Sequence, residues 1–205
     1  MNYIEFRKTF YSLACFSIDQ IYSAYPKFDR TNLTRWIRKG YIEHLRQGYY
    51  AFPDFRSKRD FPLYFANRIY KPSYISLHTA LSFYGMIPES VSQITSVTSL
   101  KTAIFNNSFG DYSYKNIKES LMFGYELKEM DENRRLLFAT PEKALLDLLY
   151  LYPFYKTEKE MEELRMDEYY MREDLNVELL MSYNGRFGSK ALDRRTRLLQ
   201  KVYNF

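Results

Sequence analysis

The sequence predicts an α+β fold in two parts, and two observations carry that expectation. Apolar residues recur at helical spacing in several stretches, and between them run short segments rich in β-branched and aromatic residues, bounded by Gly, Pro and Asn. The positive charge also sits at one end. Residues 1–60 hold 11 Lys+Arg against 6 Asp+Glu, whereas residues 61–205 hold 19 of each. The whole net charge of +5 therefore belongs to the N-terminal stretch, the pattern of a nucleic-acid-binding module on a neutral body. The expected division is one domain over residues 1–56 and a mixed α/β domain with an antiparallel sheet over residues 61–205, joined by a charged segment at 56–60.

Residues 4–15 read as a first helix. Ser17-Ile18-Asp19-Gln20 has the form of a capping box, with the Ser hydroxyl accepting from a backbone N–H and Gln20 reaching back. The helix it opens, residues 18–24, stops at Tyr25-Pro26, because proline disfavours helical conformation in the residue before it. Asp29 or Thr31 is the expected cap of the next helix, which runs to Lys39 and ends at Gly40. Leu33, Trp36 and Ile37 give that helix one apolar face. Arg30, Asn32, Thr34, Arg35, Arg38 and Lys39 fill the other. Residues 41–45 and 48–52 then read as short strands around a tight turn, Arg46-Gln47-Gly48.

Two helices, a turn and a hairpin follow the order of a winged helix-turn-helix, whose second helix enters the major groove of double-stranded DNA. Arg35 and Arg38 suit guanine or phosphate, and Asn32 suits adenine, with Thr34 beside them. Lys27, Arg30 and Lys39 add contacts to the DNA, and Arg46 at the wing tip reaches a phosphate or the minor groove. Trp36 and Cys15 are expected in the core and His44 on the wing.

The second part opens with a helix over residues 61–70. Pro72 breaks it, Ser73 or Ser76 caps the next, and Leu77, Ala80, Leu81 and Tyr84 follow at helical spacing to Gly85. Residues 93–99, 102–105 and 112–117 read as strands, the last two flanking a turn-rich connection at 106–111. Residues 124–130 and 135–139 form an expected antiparallel pair across Asp131-Glu132-Asn133. Thr140-Pro141-Glu142 opens a helix, with Thr at the N-cap and Pro in the first turn. Ala144, Leu145, Leu148, Leu149 and Leu151 form its core stripe. Helices follow over residues 157–165, 176–183 and 189–202. The run 157–178 has nine acids and three bases, whereas 184–205 has six bases and one acid, so the two are expected to face each other or solvent.

Chemistry is sparse. The lone Cys15 excludes an intramolecular disulfide and a thiolate zinc site. No apolar leader or span of ~20 apolar residues occurs, which leads to the expectation of a cytoplasmic protein without membrane contact. No phosphate-cradling glycine loop, HExxH, GxSxG or CxxC is present. His78 is expected as a packed helical residue, and Glu142 and Asp147, five apart, do not share a helix face well. The chain is therefore read as a non-enzyme with no cofactor and no metal.

Several stretches resemble one family. They are Tyr74-Ile75-Ser76-Leu77-His78-Thr79-Ala80-Leu81-Ser82-Phe83-Tyr84-Gly85-Met86-Ile87-Pro88-Glu89, then Ile94-Thr95-Ser96-Val97-Thr98 and Phe123-Gly124-Tyr125-Glu126, and above all Ala139-Thr140-Pro141-Glu142-Lys143-Ala144-Leu145-Leu146-Asp147-Leu148-Leu149-Tyr150. Together with the winged-helix pattern before them, they resemble the AbiEi family antitoxins over roughly residues 17–152. The resemblance implies an antitoxin-type second domain with C-terminal helices, in a bacterial type IV toxin–antitoxin system linked to abortive infection and phage defence. It implies a transcriptional regulator that represses its own operon and counteracts a nucleotidyltransferase-like toxin with or without direct contact. An inverted repeat in the promoter would require two winged helices in register, by a homodimer on DNA or by cooperative binding. The alternative is a toxin-neutralising or nucleotide- or RNA-metabolism protein in which DNA binding is secondary. No catalytic residue is carried over, and the recognition helix has no residue-by-residue match, so no operator sequence is implied.

Overall fold

A computed structural model describes residues 1–58, 60–89, 91–130 and 134–205. Helix α1 (Tyr3–Phe10) begins at Asn2, whose side chain accepts from the Glu5 backbone N–H. It tightens into a 3₁₀ turn and stops at Ala14, whose φ of +56° no helix can continue. The helix expected over 4–15 is therefore shorter, and Cys15–Ser17 form strand β1 instead. Helix α2 (Ile18–Ala24) carries the expected capping box: Ser17 Oγ accepts the Gln20 N–H at 3.2 Å and Gln20 Oε1 accepts the Ser17 N–H at 2.8 Å. Helix α3 (Thr31–Arg38) is steadied from outside its first turn, where the Asp29 carboxylate accepts from both the backbone N–H and the hydroxyl of Thr31. Strands β2 (Glu43–Arg46) and β3 (Tyr49–Ala51) complete an antiparallel sheet in the order β1-β3-β2.

Aromatic rings hold this part together. Phe6 lies 4.6 Å from Trp36, 5.4 Å from Phe16 and 4.8 Å from Phe10, ring centre to ring centre, within the range of attractive ring pairs. Leu33 and Trp36 point into this core, as their spacing predicts. Ile37 does not: it is 38% exposed, so the apolar stripe of α3 is narrower than expected.

The larger sheet has six strands in the order β6-β7-β5-β4-β9-β8. They are β4 (Ser73–Ile75), β5 (Gln93–Thr98), β6 (Ala103–Asn107), β7 (Gly110–Asn116), β8 (Tyr125–Met130) and β9 (Arg134–Ala139). It is mixed, which corrects the expectation of an antiparallel sheet, although β8 and β9 pair antiparallel as expected. The β6–β7 hairpin lays β7 alongside β5 in the same direction, and β4 runs parallel to β9 while antiparallel to β5. The connection expected at Asp131-Glu132-Asn133 lies outside the described residues. Helices α4 (Phe61–Ile69) and α5 (Leu77–Phe83) flank β4, a strand absent from the sequence reading.

Helix α6 (Pro141–Leu151) lies at the centre, and every residue from Glu142 to Leu149 is buried. Thr140 caps it by accepting the Lys143 N–H at 3.3 Å. Helices α5, α8 (Val177–Phe187) and α9 (Lys190–Tyr203) pack around it, with α7 (Glu158–Glu162) against α9. The acidic and basic runs meet, as Lys201 pairs with Glu158, and Arg172 Nε donates to the Tyr203 carbonyl at 3.1 Å.

One apolar core runs from Phe6 to Tyr203. Phe55 and Phe61, on either side of the expected linker, stack at 4.4 Å. Asn107 Nδ2 donates to the Leu45 carbonyl at 3.1 Å, and Glu43 accepts from both Arg56 and the Ser108 hydroxyl. The small sheet is thus braced on the large one through β2 and β6.

Candidate nucleic-acid interface

The amphipathic order of α3 sets the candidate surface. Burying Leu33 and Trp36 turns Thr34, Arg35, Arg38 and Lys39 outward, and all of them are exposed. Asn32 is half-buried beside them, and Arg35 Nη2 donates to Asn32 Oδ1 at 2.5 Å, so the two side chains act as one unit. Lys27 and Arg30, in the turn that leads into α3, are exposed as well. The Asp29 carboxyl is held below its ordinary range, first by the Thr31 hydroxyl and then by the Thr31 backbone N–H, so it stays an acceptor and keeps the first turn of α3 in place. The result is a basic surface with one carboxylate anchored at its start.

Arg46 lies elsewhere. A bulge between His44 and Arg46 displaces the end of β2. The Arg46 guanidinium donates to the Ile69 carbonyl at 2.6 Å and rests 4.5 Å from both the Tyr70 and Phe105 rings. It fastens the hairpin to the larger sheet rather than reaching out from a wing tip. His44 is exposed and its ring leans on Tyr50 at 5.6 Å. Cys15 is buried, and burial pushes its thiol up to about 12.

Two further places gather polar side chains. Inside the core, Lys143 and Asp147 pair one turn apart on α6, and both side chains are sealed from solvent. Tyr74 Oη and Ser76 Oγ each donate to Asp147 Oδ2 at 2.8 Å, and Lys143 Nζ donates to Tyr74 Oη at 2.9 Å. The Tyr74, Phe123 and Phe187 rings surround the ammonium group. Burial pushes the Asp147 carboxyl up and the Lys143 ammonium down, and each partner's charge pulls the other back. The sequence reading missed this cluster, although a Lys and an Asp four apart within a run of Ala and Leu were its signal. Sealed from solvent, it organises the core and offers no surface to a ligand.

On the outside, a cavity of about 490 Å³ lies among His78, Ile87, Gln93, Leu148, Tyr152 and Tyr155. Burial lowers the His78 pKa from its ordinary value, with Glu89 opposing the shift, and the Tyr152 ring meets the imidazole edge-on at 5.7 Å. Among the described residues, no group of three or more His, Cys, Asp or Glu is placed to hold a metal ion. Among them too, no helix is long and apolar enough to cross a membrane. No protein-family model matches the chain, and no curated protein matches its sequence.

Proposed function

We propose that this chain is a DNA-binding transcriptional regulator, with residues 1–56 acting as a winged helix-turn-helix. One observation carries the reading: α3 turns Thr34, Arg35, Arg38 and Lys39 outward from a Trp36-anchored core, with Lys27 and Arg30 at its entry. A basic helix face of this kind recognises the major groove, where Arg forks match guanine edges and phosphates. The paired Asn32–Arg35 unit would be the base-reading element, and Lys27, Arg30 and Lys39 would hold phosphates. Arg46, engaged with the Ile69 carbonyl, is given no DNA contact in this reading. An inverted repeat would be met by two copies of the chain.

The resemblance to AbiEi antitoxins supports the second half of the proposal. The promoter bound is the chain's own, the cell is bacterial, the setting is the cytoplasm, and residues 61–205 counteract a nucleotidyltransferase-like toxin. A gel shift tests the DNA half, using DNA from immediately upstream of the gene, unrelated competitor and two salt concentrations. Specific binding that weakens steeply with salt is expected, as counterions are released at each phosphate contact. Arg35→Ala and Arg38→Ala should each weaken it, and unchanged affinity in both would remove α3 from the interface. Toxin rescue in cells tests the other half: rescue that persists in those two variants assigns neutralisation to the body, and a chain that never rescues overturns it.

A further inference from the structure

Helix α9 carries a largely buried arginine with no ion-pair partner among the described residues. Its inward residues are Leu192, Arg195, Thr196, Leu199 and Tyr203, and Arg195 is the one cation among them. Arg195 is only 8% exposed, and its Nε is shut off from solvent with no acceptor in reach among the described residues, while its two Nη atoms keep some contact with solvent. An arginine keeps its proton in proteins, so the charge persists. Burial lowers its pKa, and no neighbouring carboxylate opposes the shift. The acids of the adjoining segments are engaged elsewhere: Asp193 with Arg197 and Asn184, Glu158 with Lys201, and Glu160 with the backbone N–H groups of Lys156 and Thr157. A buried cation without a counter-charge is a costly arrangement, and such sites are normally paired.

The surroundings supply the place for a counter-charge. Ala191, Arg194, Arg195 and Leu198 follow i, i+3, i+4, i+7 and so share one side of α9. With Lys156, which precedes α7, they line a concavity of about 290 Å³. Its lining is thus three cationic residues, Arg194, Arg195 and Lys156, and two apolar ones, Ala191 and Leu198. We propose that this concavity binds the phosphate group of a small phosphorylated ligand, with Arg195 as its buried anchor. Guanidinium groups match phosphate oxygens in paired, charge-assisted hydrogen bonds, and Lys156 adds a point charge at the rim. The volume holds about ten water molecules' worth of space, enough for a phosphate and a small organic body. The site is separate from α3 and does not depend on DNA binding.

The test is thermal unfolding of the full chain with inorganic phosphate, adenosine 5′-monophosphate, adenosine or a single-stranded oligonucleotide, each against sodium chloride at matched ionic strength. Phosphate and the monophosphate should raise Tm in a saturable way, since a ligand that binds only the folded state stabilises it by mass action. Adenosine should not. Arg195→Met replaces the buried charge by an apolar side chain; it should keep or raise the Tm without anion and bind phosphate at least tenfold more weakly. Lys156→Gln with Arg194→Gln changes exposed groups only, and should weaken phosphate binding without loss of fold. No saturable response in the wild-type chain overturns the proposal. So does an unchanged response in Arg195→Met or, should that variant not fold, in the Lys156→Gln/Arg194→Gln pair. A response to a single-stranded oligonucleotide but to neither phosphate nor the monophosphate also overturns it, in favour of a polymer-binding surface.

Discussion

Lys143 and Asp147 form an ion pair with both side chains fully sealed from solvent, one turn apart on the central helix. Removing one member of such a pair leaves the other charged and buried, which costs about 3–5 kcal/mol. Asp147→Asn and Lys143→Met should each destabilise the chain by that order in urea unfolding. The double variant Lys143→Met/Asp147→Leu should lose much less than the sum, because no orphaned charge remains. Additive losses would show that the two groups do not act as a pair.

Arg46 and Arg38 should separate stability from DNA binding. Arg46→Ala removes the hydrogen bond to the Ile69 carbonyl and the contacts with Tyr70 and Phe105, at a cost of about 1–3 kcal/mol. Its DNA affinity should keep the wild-type salt dependence. Arg38→Ala, at an exposed position, should leave Tm unchanged and reduce the slope of log affinity against log salt by about 1. Melting curves and salt-series gel shifts on both variants check this. The opposite pattern would place the DNA surface on the hairpin.

Gly124 should not tolerate a side chain. Its φ is +68°, and an added Cβ would lie 2.9 Å from Tyr183 Cε2 and 3.1 Å from Lys143 Cβ. Gly124→Ala should therefore cost about 1–3 kcal/mol in overpacking beyond the backbone penalty. Gly40 has a similar φ of +69° with nothing within 4 Å of the added Cβ, so Gly40→Ala should show the backbone penalty alone. Equal losses in urea titration would mean that the region around Lys143 relaxes freely.

His78 makes stability sensitive to mild acid. Burial lowers its pKa in the folded state, so the unfolded chain takes up the proton first as pH falls below the ordinary value of 6.5. Its neutral-state stability is complete above that value and declines as pH falls through the window down to the folded pKa. His78→Gln should lose less Tm than the wild type between pH 7.5 and pH 5.5. Parallel declines in the two proteins would assign the acid response to other groups.

What was legible in the sequence followed local physics. The Ser17–Gln20 box and the Thr140-Pro141 start are short-range hydrogen-bond patterns, and both appear where their residues place them. The outward face of α3 followed from Leu33 and Trp36, although Ile37 left the core. Strands β1 and β4 have three residues each, too few for a period to register without an adjoining hairpin turn such as Arg46-Gln47-Gly48 gives the equally short β3. The parallel pairings of β5 with β7 and of β4 with β9 are long-range choices that no local pattern encodes. Arg46 read as a wing-tip cation because its neighbours Tyr70 and Phe105 are distant in the chain. Arg195 had a readable signal, a base at a core position in the period of Leu192 and Leu199, hidden by the run of basic residues around it.

Tyr74 and Ser76 reach the Asp147 carboxylate across 73 and 71 residues of chain. Closing so long a loop sacrifices chain entropy before any of these hydrogen bonds can form. Local pieces such as the β6–β7 hairpin and the capped helices assemble without that cost, whereas the seam between β4 and α6 must wait for them. Folding should accordingly be slow beside that of a helical bundle of equal size, and a chain still being synthesised cannot bury Tyr74 on its native partner until α6 has emerged.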